Sequence, residues 1–181
     1  MPVIIKALTA AQLEQELPRL IALLQDSVAG GSGLGFEPPL SDEEARAYWL
    51  SIRAELLAGT RHLLVAYVDD ELVGTGQLEL APWSSGQHRA ELQKLFVDRA
   101  QRGQGIGEAL VSALHDTAQR HQRSLIVLNT RCGQPAVHFY KRLGYREAGV
   151  IPGFTRSASG ERRGTLILYR ELADATALLV F

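Results

Sequence analysis

Apolar and polar positions along this chain alternate between two periods. Val3 to Leu8 reads as a first strand, after which Leu13, Leu17, Leu20, Ile21, Leu24 and Val28 recur at helical spacing until a glycine cluster stops them. Beyond Pro38-Pro39, Ser41 and Glu44 form a capping-box signature, and Ala45, Tyr48, Trp49, Ile52 and Leu56 carry a second helix to Gly59. His62 to Val68 and Leu72 to Leu80 read as two strands joined at Asp69-Asp70-Glu71, and Arg89 to Val97 as the next. Ile106, Leu110, Val111, Leu114 and Ala118 then mark a long helix. Ser124 to Leu128 has the short apolar run of a central strand, and Ala136 to Leu143 is a further helix ended by Gly144. Tyr145 to Val150 and Gly164 to Glu171 close the pattern as strands. The sum is a mixed α/β layer fold around one sheet of six or seven strands.

Composition narrows the partners more than the fold. The 181 residues suit one domain, 1–181, and nineteen Lys and Arg against twenty Asp and Glu leave a formal charge of -1. Such a surface does not attract nucleic acid or anionic membrane, which favours a small-molecule or protein acceptor. The N-terminus lacks the basic and apolar regions of a signal peptide and no apolar run is long enough to span a bilayer, so a cytoplasmic protein is expected. One cysteine, Cys132, forbids an internal disulfide framework, and the five histidines show no metal-ligand spacing; no metal is expected.

The chemistry begins at Arg102-Gly-Gln-Gly-Ile-Gly107, which follows the strand Glu91 to Val97 and opens the long helix. Gly103, Gly105 and Gly107 clear side chains from the backbone, and the helix start aims free N–H groups and the positive dipole end at the same point. The pattern is a pyrophosphate cradle. A nucleoside-triphosphate loop would need Lys and Ser or Thr where Glu108 and Ala109 stand. A dinucleotide fingerprint would need a third glycine at Glu108 and an acid where Asn129 and Thr130 stand.

The arrangement Arg102-x-x-Gly105-x-Gly107 resembles the acetyl-coenzyme A loop of the GNAT N-acetyltransferase superfamily, and Ala136-Val-His-Phe-Tyr-Lys-Arg-Leu-Gly-Tyr145 is similar to the helix and strand that close that family's cofactor site. The resemblance covers nearly the whole chain. It implies a mostly antiparallel sheet splayed at its central strands, flanked by helices on both faces, with acetyl-CoA as cosubstrate. Gly30-Gly-Ser-Gly-Leu-Gly-Phe36, Arg89-Ala-Glu-Leu-Gln-Lys-Leu95 and Pro152-Gly-Phe154 further resemble the tabtoxin-resistance branch, which acetylates a β-lactam dipeptide toxin on its free amine.

Acetyl transfer to an amine needs a base for the ammonium, donors for the oxyanion and an acid for the departing thiolate. Glu91 is the candidate base, on one strand face with Leu95 and Val97 unless a bulge intervenes; its plainer reading is a strand carboxylate paired with Arg89 or Lys94. The resemblance implies a glutamate here and an aspartate where this chain has Asn129, which cannot take a proton but can hydrogen-bond the acceptor or the pantetheine arm. Tyr140 stands at the position of the family's general acid, a phenol well matched to a thiolate leaving group. Backbone N–H groups around Phe96 and Val97 are the oxyanion donors expected, and Leu95, Arg102, Gln104, Ile106, Ala136 and Phe139 complete the cofactor-binding set. Gly133 replaces an asparagine the family usually carries, and Lys141, Arg142, Arg120 and Arg123 are the cations available for a 3′-phosphate.

Gly30 to Gly35 is expected as a loop over the acceptor pocket, with Trp83 and Phe154 as further lining. Cys132 with His138 could carry an acyl group, a reading that direct transfer in the resembled family disfavours. The apolar Ala177 to Phe181 could cover an edge strand or a twofold partner, leaving monomer and homodimer open. The reading is an N-acetyltransferase for a small primary amine; its rivals are a non-catalytic acyl-CoA sensor or partner-binding module, and a protein or peptide N-acetyltransferase.

Overall fold

The computed structural model describes residues 2–32, 34–157 and 159–173, so the apolar C-terminal segment Ala177 to Phe181 lies outside the described residues. The described strands are β1 (Ile4–Leu8), β2 (Arg61–Val68), β3 (Glu71–Leu80), β4 (Arg89–Val97), β5 (Leu125–Arg131), β6 (Arg146–Arg156) and β7 (Arg162–Glu171). The α-helices are α1 (Ala10–Ala29), α2 (Asp42–Ser51), α3 (Arg53–Ala58), α4 (Ile106–Arg120) and α5 (Pro135–Arg142). One sheet runs β1-β2-β3-β4-β5-β7-β6, antiparallel at every step except β4 to β5. That is the mixed, mostly antiparallel seven-stranded sheet expected.

Local chemistry accounts for most boundaries. Thr9 with Gln12 and Ser41 with Glu44 form complete capping boxes at the starts of α1 and α2. Asp69 and Asp70 both take positive φ (49° and 65°), the backbone of a two-residue hairpin turn that asparagine and aspartate tolerate. The single helix expected from Ser41 to Gly59 is broken at Ile52, which is itself buried at 4% exposed, and Leu56 of α3 packs against the α1 side of the core. β5 extends to Arg131, so Asn129 lies within the strand and not at its end.

Helices cover both faces. Leu64, Ala66 and Val68 of β2 point into one cluster with Leu110, Val111 and Leu114 of α4 and Tyr140 of α5. Leu63 and Val65 point into the other, with Leu13, Leu20 and Leu24 of α1 and Trp49 of α2. Each such fully buried leucine contributes roughly 2 kcal/mol of transfer free energy. Burial on both faces explains why β2 reads as an unbroken apolar run.

The central strands are irregular in two ways. Thr75 pairs with Phe96 but Gln77 pairs with Gln93, so two residues of β4, Lys94 and Leu95, face Gly76 alone. Lys94 carries the bulge at a φ of 49°. The extra residue switches the alternation: Ala90, Leu92, Leu95 and Val97 join the α4 cluster, whereas Phe96 joins the α1 cluster. Glu91 therefore shares the α1 side with Phe96, and the face expected to hold Glu91, Leu95 and Val97 together is divided. The second irregularity is that β4 and β5 pair only at Arg89–Leu125, Ala90–Ile126 and Glu91–Val127 before they part.

Candidate active site

A cleft of about 1030 Å³ opens where β4 and β5 diverge, reached from both faces of the sheet. Glu91, Leu95, Phe96, Val97, Arg102, Gly103, Gly105, Ile106, Gly107, Asn129, Ala136, Phe139 and Tyr140 all line it. Gln104 does not: it is exposed, and its side-chain amide bonds to Gln101 Oε1 at 3.0 Å.

On the α4 side the cleft is a backbone surface. Gly103 and Gly105 hold φ of 78° and 79°, and a Cβ added at either would meet no atom within 4 Å, projecting into open space. Gly105 begins α4 without a side-chain cap, which leaves the first amides of the helix to an incoming acceptor. A Cβ on Gly107 would lie 3.4 Å from Phe139 Cζ, so this glycine lets α5 pack close to α4. Arg102 donates from Nε to the Val97 carbonyl at 3.1 Å and braces the loop on the strand end. Asp98 N–H bonds back to Val73 O on β3. Alternation along β4 then turns the Val97 N–H toward the gap and the Phe96 N–H toward β3. Only Val97 of that pair offers its amide to the cleft.

Tyr140 projects from α5, only 7% exposed, its ring edge-on to Phe139 at 5.2 Å and to Tyr145 at 5.4 Å. Burial raises its pKa and keeps the phenol protonated. Behind it, His115 Nε2 and Tyr145 Oη are 2.7 Å apart, and burial pushes His115 down to about 4, so the imidazole is neutral.

The opposite side is polar. Glu91 is half-buried, and Asn129 Nδ2 donates to its Oε1 at 3.3 Å. Burial and the neighbouring Glu79 carboxylate, its cross-strand partner, raise the Glu91 pKa against the opposing pull of Gln93, Arg61 and Arg89. Arg61 anchors the floor beneath: it donates to Gln77 (3.0 Å), Gln93 (3.1 Å), Glu79 (2.7 Å) and Glu55, while Gln93 also donates to Glu79 at 2.9 Å. Lys94 turns its ammonium to the Leu34 carbonyl and over the rings of Phe36 and Tyr48, at 5.1 and 5.2 Å. Burial lowers its pKa. Through Lys94 the bulge holds Leu34 and Phe36 against the cleft, whose lining also includes Gly30, Ser32 and Gly35.

Phe154 lines the same side, but Trp83, 74% exposed, stands outside. Arg142 lines the cleft and lies 6.0 Å over the Phe139 ring, whereas Lys141 pairs with Glu147 at 2.6 Å and Arg120 closes the far end of α4. Cys132, His138 and Gly133 belong to a separate cavity of about 270 Å³. Among the described residues, no three His, Cys, Asp or Glu side chains gather as a metal site. Gln93, Glu79, Arg61 and Arg131 are site residues beyond those expected from the sequence, and Lys94 turns to Leu34, Phe36 and Tyr48 and not to Glu91. A signal for Gln93 and Glu79 was present, since Gln77 and Glu79 on one strand and Glu91 and Gln93 on the next share a two-residue period that an apolar core would not carry.

A glycine cradle, a buried tyrosine and a half-buried carboxylate thus meet across one splayed strand pair. The family model described as the acetyltransferase (GNAT) family matches residues 13–145. The chain belongs to the GNAT acetyltransferase family. An uncharacterized N-acetyltransferase of Methanocaldococcus jannaschii is 38% identical over 68 residues, which are 37% of this chain and 30% of that protein. The chain therefore spans about a third of that relative's length. An L-methionine sulfoximine/L-methionine sulfone acetyltransferase of Pseudomonas aeruginosa is 26% identical over 139 residues, covering 76% of this chain and 78% of the relative. Among solved GNAT structures, a phosphinothricin acetyltransferase from Sinorhizobium meliloti in complex with acetyl-CoA superposes with a TM-score of 0.77 at 20% identity, covering 98% of this chain and 92% of the other. Among the described residues, no helix of this GNAT fold is long and apolar enough to cross a membrane.

Proposed function

We propose that the protein is an acetyl-CoA-dependent N-acetyltransferase, one domain built on this sheet, that acetylates the primary amine of a small molecule by direct attack in a ternary complex. The observation that carries the reading is the splay: it puts the cradle and Tyr140 on one side of a single cleft and Glu91 with Asn129 on the other.

The cradle fits the cosubstrate. Open space at Gly103 and Gly105 and the uncapped start of α4 suit a pyrophosphate, with Arg102 beside it. Leu95, Val97, Ile106, Ala136 and Phe139 form the apolar wall along which a pantetheine arm would run, and the Val97 N–H faces the gap as strand-like donor and as oxyanion donor. Acetyl-CoA supplies the activated acetyl group.

Glu91 holds the proton problem. An alkyl ammonium is about three pKa units above neutrality, so its neutralisation requires roughly 4 kcal/mol before attack. A carboxylate with a raised pKa at the mouth of the gap takes that proton, directly or through water, and Asn129 keeps its Oε1 oriented. Tyr140, kept neutral by burial, holds the proton for the leaving thiolate.

The relatives that act on methionine sulfoximine and phosphinothricin support a small acceptor resembling an amino acid. The narrower likeness to the tabtoxin-resistance branch agrees with Leu34, Gly35 and Phe36 on the acceptor side and extends the reading to dipeptide-like toxins. Thiol release measured over a panel of amines, amino acids, antibiotics and peptides tests the proposal. Amine-dependent release from at least one small acceptor is the expected result.

A further inference from the structure

Two largely buried arginines lie near the acceptor side of the sheet, and they are in opposite states. Arg61, its side chain 9% exposed, donates to Gln77, Gln93, Glu79 and Glu55. Arg131, its side chain 14% exposed, lines the cleft, and its Nε is enclosed without a hydrogen-bond partner among the described residues. The nearest carboxylate oxygen, Glu37 Oε1, is 3.9 Å from Nη2, beyond the roughly 3.2 Å limit of a hydrogen bond. A guanidinium withdrawn from water and left without acceptors is costly, and a ligand anion is what its planar fork is shaped to receive.

Its place on the strand names the anion. Asn129 and Arg131 lie on one face of β5, two residues or about 6.6 Å apart, and Asn129 is hydrogen-bonded to Glu91. We infer that Arg131 binds the carboxylate of the acceptor, so that the substrates are amino acids held as zwitterions, ammonium at Glu91 and carboxylate at Arg131. The ammonium and carboxylate oxygens of an α-amino acid are about 3 Å apart. With a charge-assisted hydrogen bond of about 2.8 Å at each end, such a molecule can bridge a carboxylate and a guanidinium up to about 8–9 Å apart. Phe36 and Phe154 line the same region and offer apolar surface to a side chain. Glu37, opposite Arg131, repels a free carboxylate unless the guanidinium turns from it toward the ligand.

This assignment rests on the acetyltransferase reading, with Glu91 at the amine. The competing role for Arg131 is a loose latch on Glu37 and the residues that follow it. The test compares L-amino acids with the amines that lack only their carboxylate (phenylalanine with phenethylamine, alanine with ethylamine) in wild type, Arg131→Met, Arg131→Lys and Glu37→Gln. Wild type should prefer the amino acid by about 10- to 100-fold in kcat/KM. Arg131→Met should abolish that preference through KM for the amino acid while the amine is turned over as before, and Arg131→Lys should retain part of it. Glu37→Gln, which breaks the latch and removes the charge that repels the carboxylate, should keep the preference or raise it. Equal rates on both members of each pair in wild type, or equal losses on both in Arg131→Met and Glu37→Gln, would overturn the inference while leaving the acetyltransferase standing. If neither member of either pair is acetylated, the acetyltransferase reading passes to the wider amine panel and fails only when no amine there releases thiol. Calorimetry of N-acetyl-L-amino acids with CoA present then decides on the carboxylate site: binding by wild type that Arg131→Met loses supports it, and no binding removes it.

Discussion

Asn129 donates its side-chain amide to the Glu91 carboxylate across 3.3 Å, just past the last residue pair that joins β4 to β5. An amide there orients the base without placing a second negative charge against it. The charge that does act on Glu91 comes from Glu79, across the strand pair and itself tied to Arg61 and Gln93. At the gap Glu91 thus stands beside an amide, backed by a carboxylate that Arg61 and Gln93 hold.

Restoring an acid at Asn129 tests this division of labour. Asn129→Asp puts two carboxylates within hydrogen-bond range, and like charges raise the affinity of the pair for a proton. Wild-type kcat/KM should fall with acid along a limb whose midpoint is above the roughly 4.3 of an ordinary glutamate, because burial and Glu79 already raise Glu91. In Asn129→Asp the limb should move further up in pH. A pH–rate profile checks both, and coincident limbs would show that the two side chains are not coupled.

Tyr140→Phe removes the proton donor and keeps the ring packed between Phe139 and Tyr145. The expected result is a fall in kcat of about 10²-fold with little change in the KM for acetyl-CoA. Steady-state kinetics with both substrates varied gives the answer, and an unchanged kcat would reduce Tyr140 to a core aromatic.

Gly105→Val tests the cradle. A β-branched residue at a φ of 79° is strained by about 1–2 kcal/mol, and its side chain would enter the space assigned to the pyrophosphate. Acetyl-CoA affinity measured by calorimetry should fall more than about tenfold beyond any loss of stability seen in a thermal melt.

Much of this was legible in the chain itself, and the misses have a common cause. The capping box at Ser41, the short apolar run of β5 and the glycines at 103, 105 and 107 each act locally, so their meaning shows in a short window. The bulge at Lys94 does not: nothing in Gln93-Lys94-Leu95 announces a positive φ at a lysine, yet that one residue moves Phe96 to the face of Glu91 and Val97 away from it. Arg131 was hidden for a related reason. Its burial depends on β5 running past Leu128 and on Glu37 approaching from far along the chain.

The neutral histidine behind Tyr140 predicts a stability profile. His115 binds its proton near pH 4 when folded and near 6.5 when unfolded, so between those values the unfolded chain holds more protons. Stability from this site is complete above about pH 6.5 and is lost as pH falls toward 4, by on the order of 2–3 kcal/mol. Denaturant titrations over pH 4–7.5 should show that slope in wild type. His115→Gln, which can still hydrogen-bond Tyr145, should flatten it.

The most direct test of the whole account is amine-dependent thiol release by wild type and Glu91→Gln, with acetyl-CoA affinity measured on both proteins. Glu91→Gln should lower kcat/KM by about 10²–10⁴-fold while acetyl-CoA binds both forms alike. Equal turnover by the two proteins, or tight acetyl-CoA binding by wild type with no turnover of any amine, would contradict it and leave a binding protein in place of an enzyme.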